Sequence, residues 1–353
     1  MNSLEFGPHQ NAGTPWRDRG RASLAAAVAI AAVVFAQHSR AAERILTLAD
    51  GRQLQFTEYG DPGGRLVLFF HGTPGSCRDA AVVEDNMRAG RIRLITPSRP
   101  GLGRSTYQPG RAILDWPSDV DQLVTAVAGP GAHFSILAMS GGTPYALATA
   151  RAFPNRVEQV VIASGYAPPE AKVPATKVAR TLDFVERRPR IARAGIDVLG
   201  RIMDRRPEAA LAHVSKSWSE GDRRLVECRP DLKREVIATL REATRCGPAG
   251  VTRDAQLLGS CWGFNVRDVP AVPISIYHGC DDAVAPVQMA HWLHRQLPQS
   301  QLTVYVGAGH LSTLIWHTDA ILGDFVESSG GTQIRVEKAG GDVVDAPPSP
   351  SPL

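Results

Sequence analysis

No C-x-x-C pair occurs among the five cysteines, Cys77, Cys228, Cys246, Cys261 and Cys280, and their scatter announces neither a zinc site nor a disulfide framework. The odd count leaves at least one thiol free. His291 and His294 stand one helical turn apart but have no cysteine or acidic ligand nearby, so no metal is expected. A concentrated basic stripe is also missing. The net charge of +4 over 353 residues is mild and comes mostly from arginine, which speaks against nucleic acid as a partner. Gly101 and Gly103 begin something like a dinucleotide fingerprint, but Thr106 stands where its third glycine belongs and no P-loop lysine occurs. Nor does any apolar run reach the roughly 20 residues of a spanning helix, so no stable membrane span is expected.

What is present is a globular composition, 43% hydrophobic and 21% charged, enough to bury a sizeable core in one large domain or two modest ones. The N-terminus differs in kind. Arg17, Arg19 and Arg21 precede an Ala/Val/Ile-rich run from Leu24 to Ala36, and small residues follow at Ser39 and Ala41. That order matches a signal peptide, which predicts export to the periplasm or medium and a mature chain starting near Ala42, with residues 1–42 as the leader. An uncleaved segment would instead leave a cytoplasmic or membrane-tethered protein.

Further along, "RILTLADGRQLQFTEYGDP" alternates apolar and polar residues around Asp50-Gly51, which predicts a hairpin with a type I′ turn. "RLVLFF" (65–70) and "IRLIT" (92–96) are short apolar runs bounded by Gly and Pro, the pattern of strands buried on both faces of a parallel sheet. An amphipathic helix from Asp119, a strand "HFSILAM", a helix after Ser140 and a strand "RVEQVVIAS" follow. The alternation implies an α/β fold with a mostly parallel central sheet and helices on both faces. It breaks over 168–265, an arginine-rich helical stretch inserted after the sixth strand, and resumes with "VPISIYHG", "QLTVYVG" and a last helix. Residues 43–167 and 266–328 thus form the core. The Gly/Pro/Ser-rich tail 329–353 is expected to be disordered.

Chemistry is concentrated at predicted strand ends. Ala138-Met139-Ser140-Gly141-Gly142 approximates the G-x-S-x-G elbow, in which a strand turns sharply into a helix and exposes a serine; helix capping is the simpler role for the same residue. A serine hydroxyl attacks only when a histidine takes its proton and a carboxylate orients that histidine. "YHGCDDAVAP" supplies Asp281 or Asp282 and "GAGH" supplies His310. In chain order the three types run Ser, Asp, His, at the carboxyl ends of parallel strands where open α/β sheets place their sites.

With "HGTPGS" and "RPGLGRS" after the early strands, these four loops together resemble those of the α/β-hydrolase superfamily, over most of residues 44–327 apart from the insertion. The resemblance implies Ser140 as nucleophile, His310 as base and, by family spacing, Asp282 rather than Asp281 as the acid. It also implies an oxyanion hole of the Thr73 and Gly141 backbone N–H groups, a helical cap at 168–265 and no cofactor. The expected activity is carboxylic-ester hydrolysis on a small ester-like substrate through an acyl-enzyme. A lactonase, thioesterase, amidase or C–C bond hydrolase would use the same residues, and a silent receptor would have no need to keep them. Ala138, where the elbow favours glycine, is the departure from the pattern; His71 is left as a loop-bracing residue, and Trp262 and Phe264 either line the pocket or pack where the insertion rejoins the core.

Overall fold

Each of the short apolar runs becomes a strand. A computed structural model describes residues 41–325, 334–338 and 343–345. Its sheet contains, in chain order, β1 (Ala42–Thr47), β2 (Gln53–Gly60), β3 (Arg65–Phe70), β4 (Ile92–Pro97), β5 (Phe134–Met139), β6 (Val157–Ala163), β7 (Ile274–Gly279), β8 (Ser300–Val306), β9 (Ile334–Lys338) and β10 (Val343–Asp345). They lie side by side in the order β1-β2-β4-β3-β5-β6-β7-β8-β9-β10. From β4 through β3 and β5 to β9 every pairing is parallel, with Val67 opposite both Leu94 and Ser135, while β2 pairs antiparallel to β4. Parallel neighbours put their carboxyl ends on one edge, which is why loops distant in sequence meet there.

Helices cover both faces: α1 (Glu84–Ala89), α2 (Trp116–Ala128), α3 (Thr143–Ala152), then after the insertion α10 (Gln288–Gln296), α11 (His310–Trp316) and α12 (Thr318–Gly323). Phe70, Ile136, Ile162 and Ile276 of the strands bury against Leu123, Ala146 and Leu293 of the helices. Trp116 of α2 sets its ring edge-on to Phe70 and to Tyr145, fixing the helix pair α2/α3 on the sheet.

Between β6 and β7 the insertion runs as α4 (Lys177–Arg187), α5 (Pro189–Arg205), α6 (Pro207–Val214), α7 (Glu220–Cys228), α8 (Pro230–Ala243) and α9 (Ala249–Gly259). Pro189 and Pro207 explain the breaks, since each opens a helix where its missing N–H is harmless and its ring would clash in a continuous one. Arg180, Arg187, Arg190, Arg193 and Arg201 lie exposed, as a solvated basic face requires. Inside, Leu211, Leu225, Val226 and Leu232 form a small core of their own, against which Leu311 and Ile315 of α11 pack. Trp262 is buried and tilts its ring toward Phe264, 6.1 Å away, so it packs where the chain returns to the sheet.

Three expectations need correcting. The first hairpin does not use a type I′ turn: Gly51 N donates to Leu48 O, Gly51 alone has a positive φ (84°), and Leu48 N donates to Arg52 O. That is a type I turn closed by a left-handed glycine, which needs only one residue of unusual conformation where type I′ needs two. The last helix is two, α11 and α12, separated at His317. And the tail is not uniformly without structure, because Ile334–Lys338 pairs parallel to β8, Leu302 opposite Ile334, and β10 returns antiparallel to β9. The alternation of Ile334 and Val336 with Arg335 and Glu337 is short, and the glycines and prolines around it hide it. The remainder of the tail, and the leader as far as residue 40, lie outside the described residues.

Candidate active site

Ser140 is the first residue after β5 and carries φ +52°, a conformation that costs a non-glycine residue of order 1–3 kcal/mol. A single tight turn, Ser140–Gly142, then feeds α3, and the Ser140 side chain makes no capping bond there, so capping does not explain the serine. The reason for the strain is space. A Cβ on Gly142 would collide with the Phe70 carbonyl oxygen of neighbouring β3, so the chain must turn within one residue of the strand end. Ala138 sits one residue inside β5, wholly buried, opposite Phe70 and Ile162, and its methyl belongs to the core rather than to the turn.

The loop after β3 lies against this turn. Gly72 faces Ser140, whose Cβ would be 3.5 Å and whose Oγ 3.9 Å from a side chain there; a Cβ at Gly141 would stand 3.1 Å from Thr73 N and collide with Thr73 Oγ1. Thr73 and Gly141, the residues whose backbone N–H groups are expected to serve an oxyanion, are therefore neighbours beside the serine. His71, fully buried, accepts from Arg99 N at its Nε2 (3.3 Å), which leaves Nδ1 to donate to Gly72 O (2.8 Å). Burial and the adjacent Arg99 push its pKa down to about 3, so it stays neutral and braces the loop.

Asp282 and His310 meet across the loops that follow β7 and β8. His310 Nδ1 donates to Asp282 Oδ2 at 2.7 Å, while Asp282 Oδ1 accepts from Val284 N (2.9 Å) and Ala285 N (2.8 Å). Its neighbour Asp281 is exposed and is occupied by the Cys280 thiol, which settles the choice between the two aspartates for contact with His310. Burial opposes ionisation of Asp282, but the charge of His310 and the hydrogen bonds of His278 and His310 outweigh it and hold the carboxyl below its ordinary range. For His310 burial again works against the charged form; the charge and hydrogen bond of Asp282, then the charge of Asp222, carry its pKa above the usual imidazole value.

In the sheet, β5 and β8 are separated by β6 and β7, roughly 14 Å at about 4.8 Å per strand. The segment after β6 fastens both loops to the gap. Ser164 Oγ donates to His310 O (2.8 Å), and two residues on, Tyr166 N donates to Thr143 Oγ1 (3.1 Å), which itself donates to Ser140 O (2.7 Å). Ser140, Asp282 and His310 are each under one-tenth exposed.

The insertion reaches this site in a way that residue patterns did not disclose. Asp254 of α9, fully buried, accepts from Thr73 Oγ1 (2.6 Å), from Arg99 Nε (2.9 Å) and Nη2 (2.7 Å), from Arg111 Nη2 (2.8 Å) and from Tyr145 Oη (2.9 Å). Arg99 also donates to the carbonyls of His71 and Gly72, both at 2.7 Å. Burial resists the charge on Asp254, yet the two guanidiniums keep it ionised. Among the described residues no group of three or more His, Cys, Asp or Glu side chains is placed to hold a metal ion, and no helix is long and apolar enough to cross a membrane.

Residues 67–321 match the model of the alpha/beta hydrolase family. Over 319 residues, 79% of this chain and 93% of the relative, the sequence is 24% identical to a proline iminopeptidase of Xylella fastidiosa. An esterase from Rhodococcus sp. ECU1013 superimposes with a TM-score of 0.56 at 19% identity, covering 80% of this chain and 97% of the esterase. The enol-lactonase of Burkholderia xenovorans LB400 does so with a TM-score of 0.58 at 16% identity, over 80% and 98% of the two chains.

Proposed function

Because the chain belongs to the alpha/beta hydrolase family, we propose that it is a serine hydrolase of carboxylic esters, acting through Ser140, His310 and Asp282. The observation that carries this reading is the strained Ser140, φ +52°, standing beside Thr73 and Gly141 on the edge where His310 is held by Asp282.

The chemistry follows from those positions. His310, its Nδ1–H fixed on Asp282, offers Nε2 as acceptor; it takes the Ser140 proton as Oγ attacks the acyl carbon. The oxyanion that forms receives hydrogen bonds from Thr73 N–H and Gly141 N–H, the second lying where a helix begins and its dipole favours negative charge. Imidazolium then returns the proton to the departing alcohol. Water, deprotonated by the same nitrogen, attacks the acyl-serine, and Ser140 recovers its proton as the acid leaves. Asp282 stays ionised throughout, and no step calls for a cofactor. The substrate is a small molecule admitted between the sheet edge and the insertion, which serves as the cap.

Fluorophosphonate labelling tests the nucleophile. The parent should incorporate one equivalent and lose turnover of p-nitrophenyl esters, and Ser140→Ala should neither be labelled nor turn the esters over. Equal labelling of both proteins, or none of a folded parent, would remove Ser140 from this role. A panel of p-nitrophenyl esters of rising chain length, a thioester, a lactone and prolyl p-nitroanilide then assigns the substrate class; the last is prompted by the iminopeptidase relative. Turnover confined to the anilide would displace the ester reading.

A further inference from the structure

The N-terminus of α11 is capped from another part of the chain. That helix opens on His310, and its N-cap residue is Gly309, which has no side chain with which to satisfy the first N–H groups. Asp222 of α7 does it instead. Fully buried, it accepts four hydrogen bonds: Oδ2 from His310 N (2.7 Å), and Oδ1 from Leu311 N (3.2 Å), Ser312 N (2.9 Å) and Ser312 Oγ (2.8 Å). Ser312 Oγ in turn accepts from Gly309 N (2.6 Å). The absence of a side chain at Gly309 is what admits the carboxylate, since a Cβ there would collide with Asp222 Oδ2 and Ser219 Oγ.

We propose that Asp222 is a positioning residue for His310, so that the insertion completes the catalytic centre when it docks rather than only covering it. This rests on His310 acting as the base. His310 then has two anchors: Asp282, from the loop after β7, on the ring, and Asp222, from α7, on the backbone of the same residue. The charged and titratable groups facing it are these two carboxylates; His278 of β7 approaches Asp282 Oδ2 at 3.4 Å and so acts through that carboxylate. A near-attack geometry tolerates little error, and a shift of about 1 Å in a catalytic group costs up to 100-fold. Releasing α7 frees four donors at once, all within the residues that aim the ring.

The full chain carrying Asp222→Asn separates this role from simple support of the fold. Asparagine offers one acceptor oxygen and no charge, so at least the His310 N or the Ser312 contacts fail. The expected result is a kcat on p-nitrophenyl acetate lowered about 10- to 100-fold with KM little changed. Removing a negative charge near the imidazole lowers its pKa, so the acidic limb of kcat/KM should also move to lower pH. Ser312→Ala keeps the Asp222 charge; it should lower kcat several-fold and leave the limb in place. An Asp222→Asn protein whose kcat and limb match the parent, or whose loss equals the fraction unfolded by circular dichroism, overturns the proposal. If Asp222→Asn does not fold, Ser312→Ala decides, an unchanged kcat being the overturning result. Failure of the underlying reading looks different: His310→Ala would then keep its turnover.

Discussion

Gly142 and Ala138 occupy the two small positions of the same elbow, and the structure separates their duties. A methyl at Gly142 would be driven into the Phe70 carbonyl oxygen, whereas the methyl of Ala138 already fills core space between β3 and β6. Gly142→Ala must therefore push β3 and β5 apart or unbend the turn at Ser140. Overpacking of this kind costs about 1–3 kcal/mol, and in a chain of this size should lower Tm by several degrees, with turnover falling further because Oγ is displaced. Ala138→Gly, the change that restores the usual elbow pattern, should keep kcat within about twofold and lose about 1–2 kcal/mol, the backbone cost of a strand glycine plus the burial of one methyl. Thermal melts beside ester turnover check both; a large loss of activity in Ala138→Gly would show that its methyl shapes the turn after all.

At the scale of elements, the insertion touches both halves of the site through buried aspartates, Asp222 on the histidine loop and Asp254 on the loop of Thr73. Asp254 stands against two guanidiniums and a tyrosine hydroxyl, so Asp254→Ala leaves Arg99 and Arg111 buried without their carboxylate. Breaking one side of such a cluster typically costs 3–5 kcal/mol, which predicts a fall in Tm on the order of 10 °C. Arg111→Met should cost less, because Arg99 still holds Asp254 by two bonds and burial of Arg111 is no longer resisted. Differential scanning calorimetry of the two variants tests that order, and its reversal would mean that Arg111 is the pillar of the cluster. None of this could be read from residue patterns, and the reason is distance. Ser140, Asp282 and His310 each lie in a loop whose own glycines and strand end announce it, while Asp254 is 155 residues from Arg99 and Asp222 is 88 from His310. On amphipathic helices rich in charge, a buried aspartate looks like any solvated one. The strands up to β8 were legible because hydrophobic runs are local signals, while β9 and β10, short and set among glycines and prolines, were not; which helix faces bury was settled by partners elsewhere in the chain.

For the molecule as a whole, the remaining question is where the mature chain begins. β1 starts at Ala42, and Glu43–Leu353 form one compact unit. Cleavage after Ala41 would thus leave every strand of the sheet intact and remove the run Leu24–Ala36, which is too short at about 1.5 Å per residue to span a bilayer of about 30 Å. A basic stretch, a short apolar run and a small residue at the cut are what the export machinery reads. We therefore expect protein recovered from the periplasm or medium of an expressing bacterium to begin at Ala42, by N-terminal sequencing and intact mass, with ester turnover equal to that of a chain expressed from Ala42 directly. Replacing Val28, Ile30 and Val33 of the apolar run by aspartate should retain the full-length chain inside the cell, since charges abolish the h-region without touching the enzyme. Recovery of an intact Met1 from the exported fraction, or export undiminished by those charges, would refute the leader.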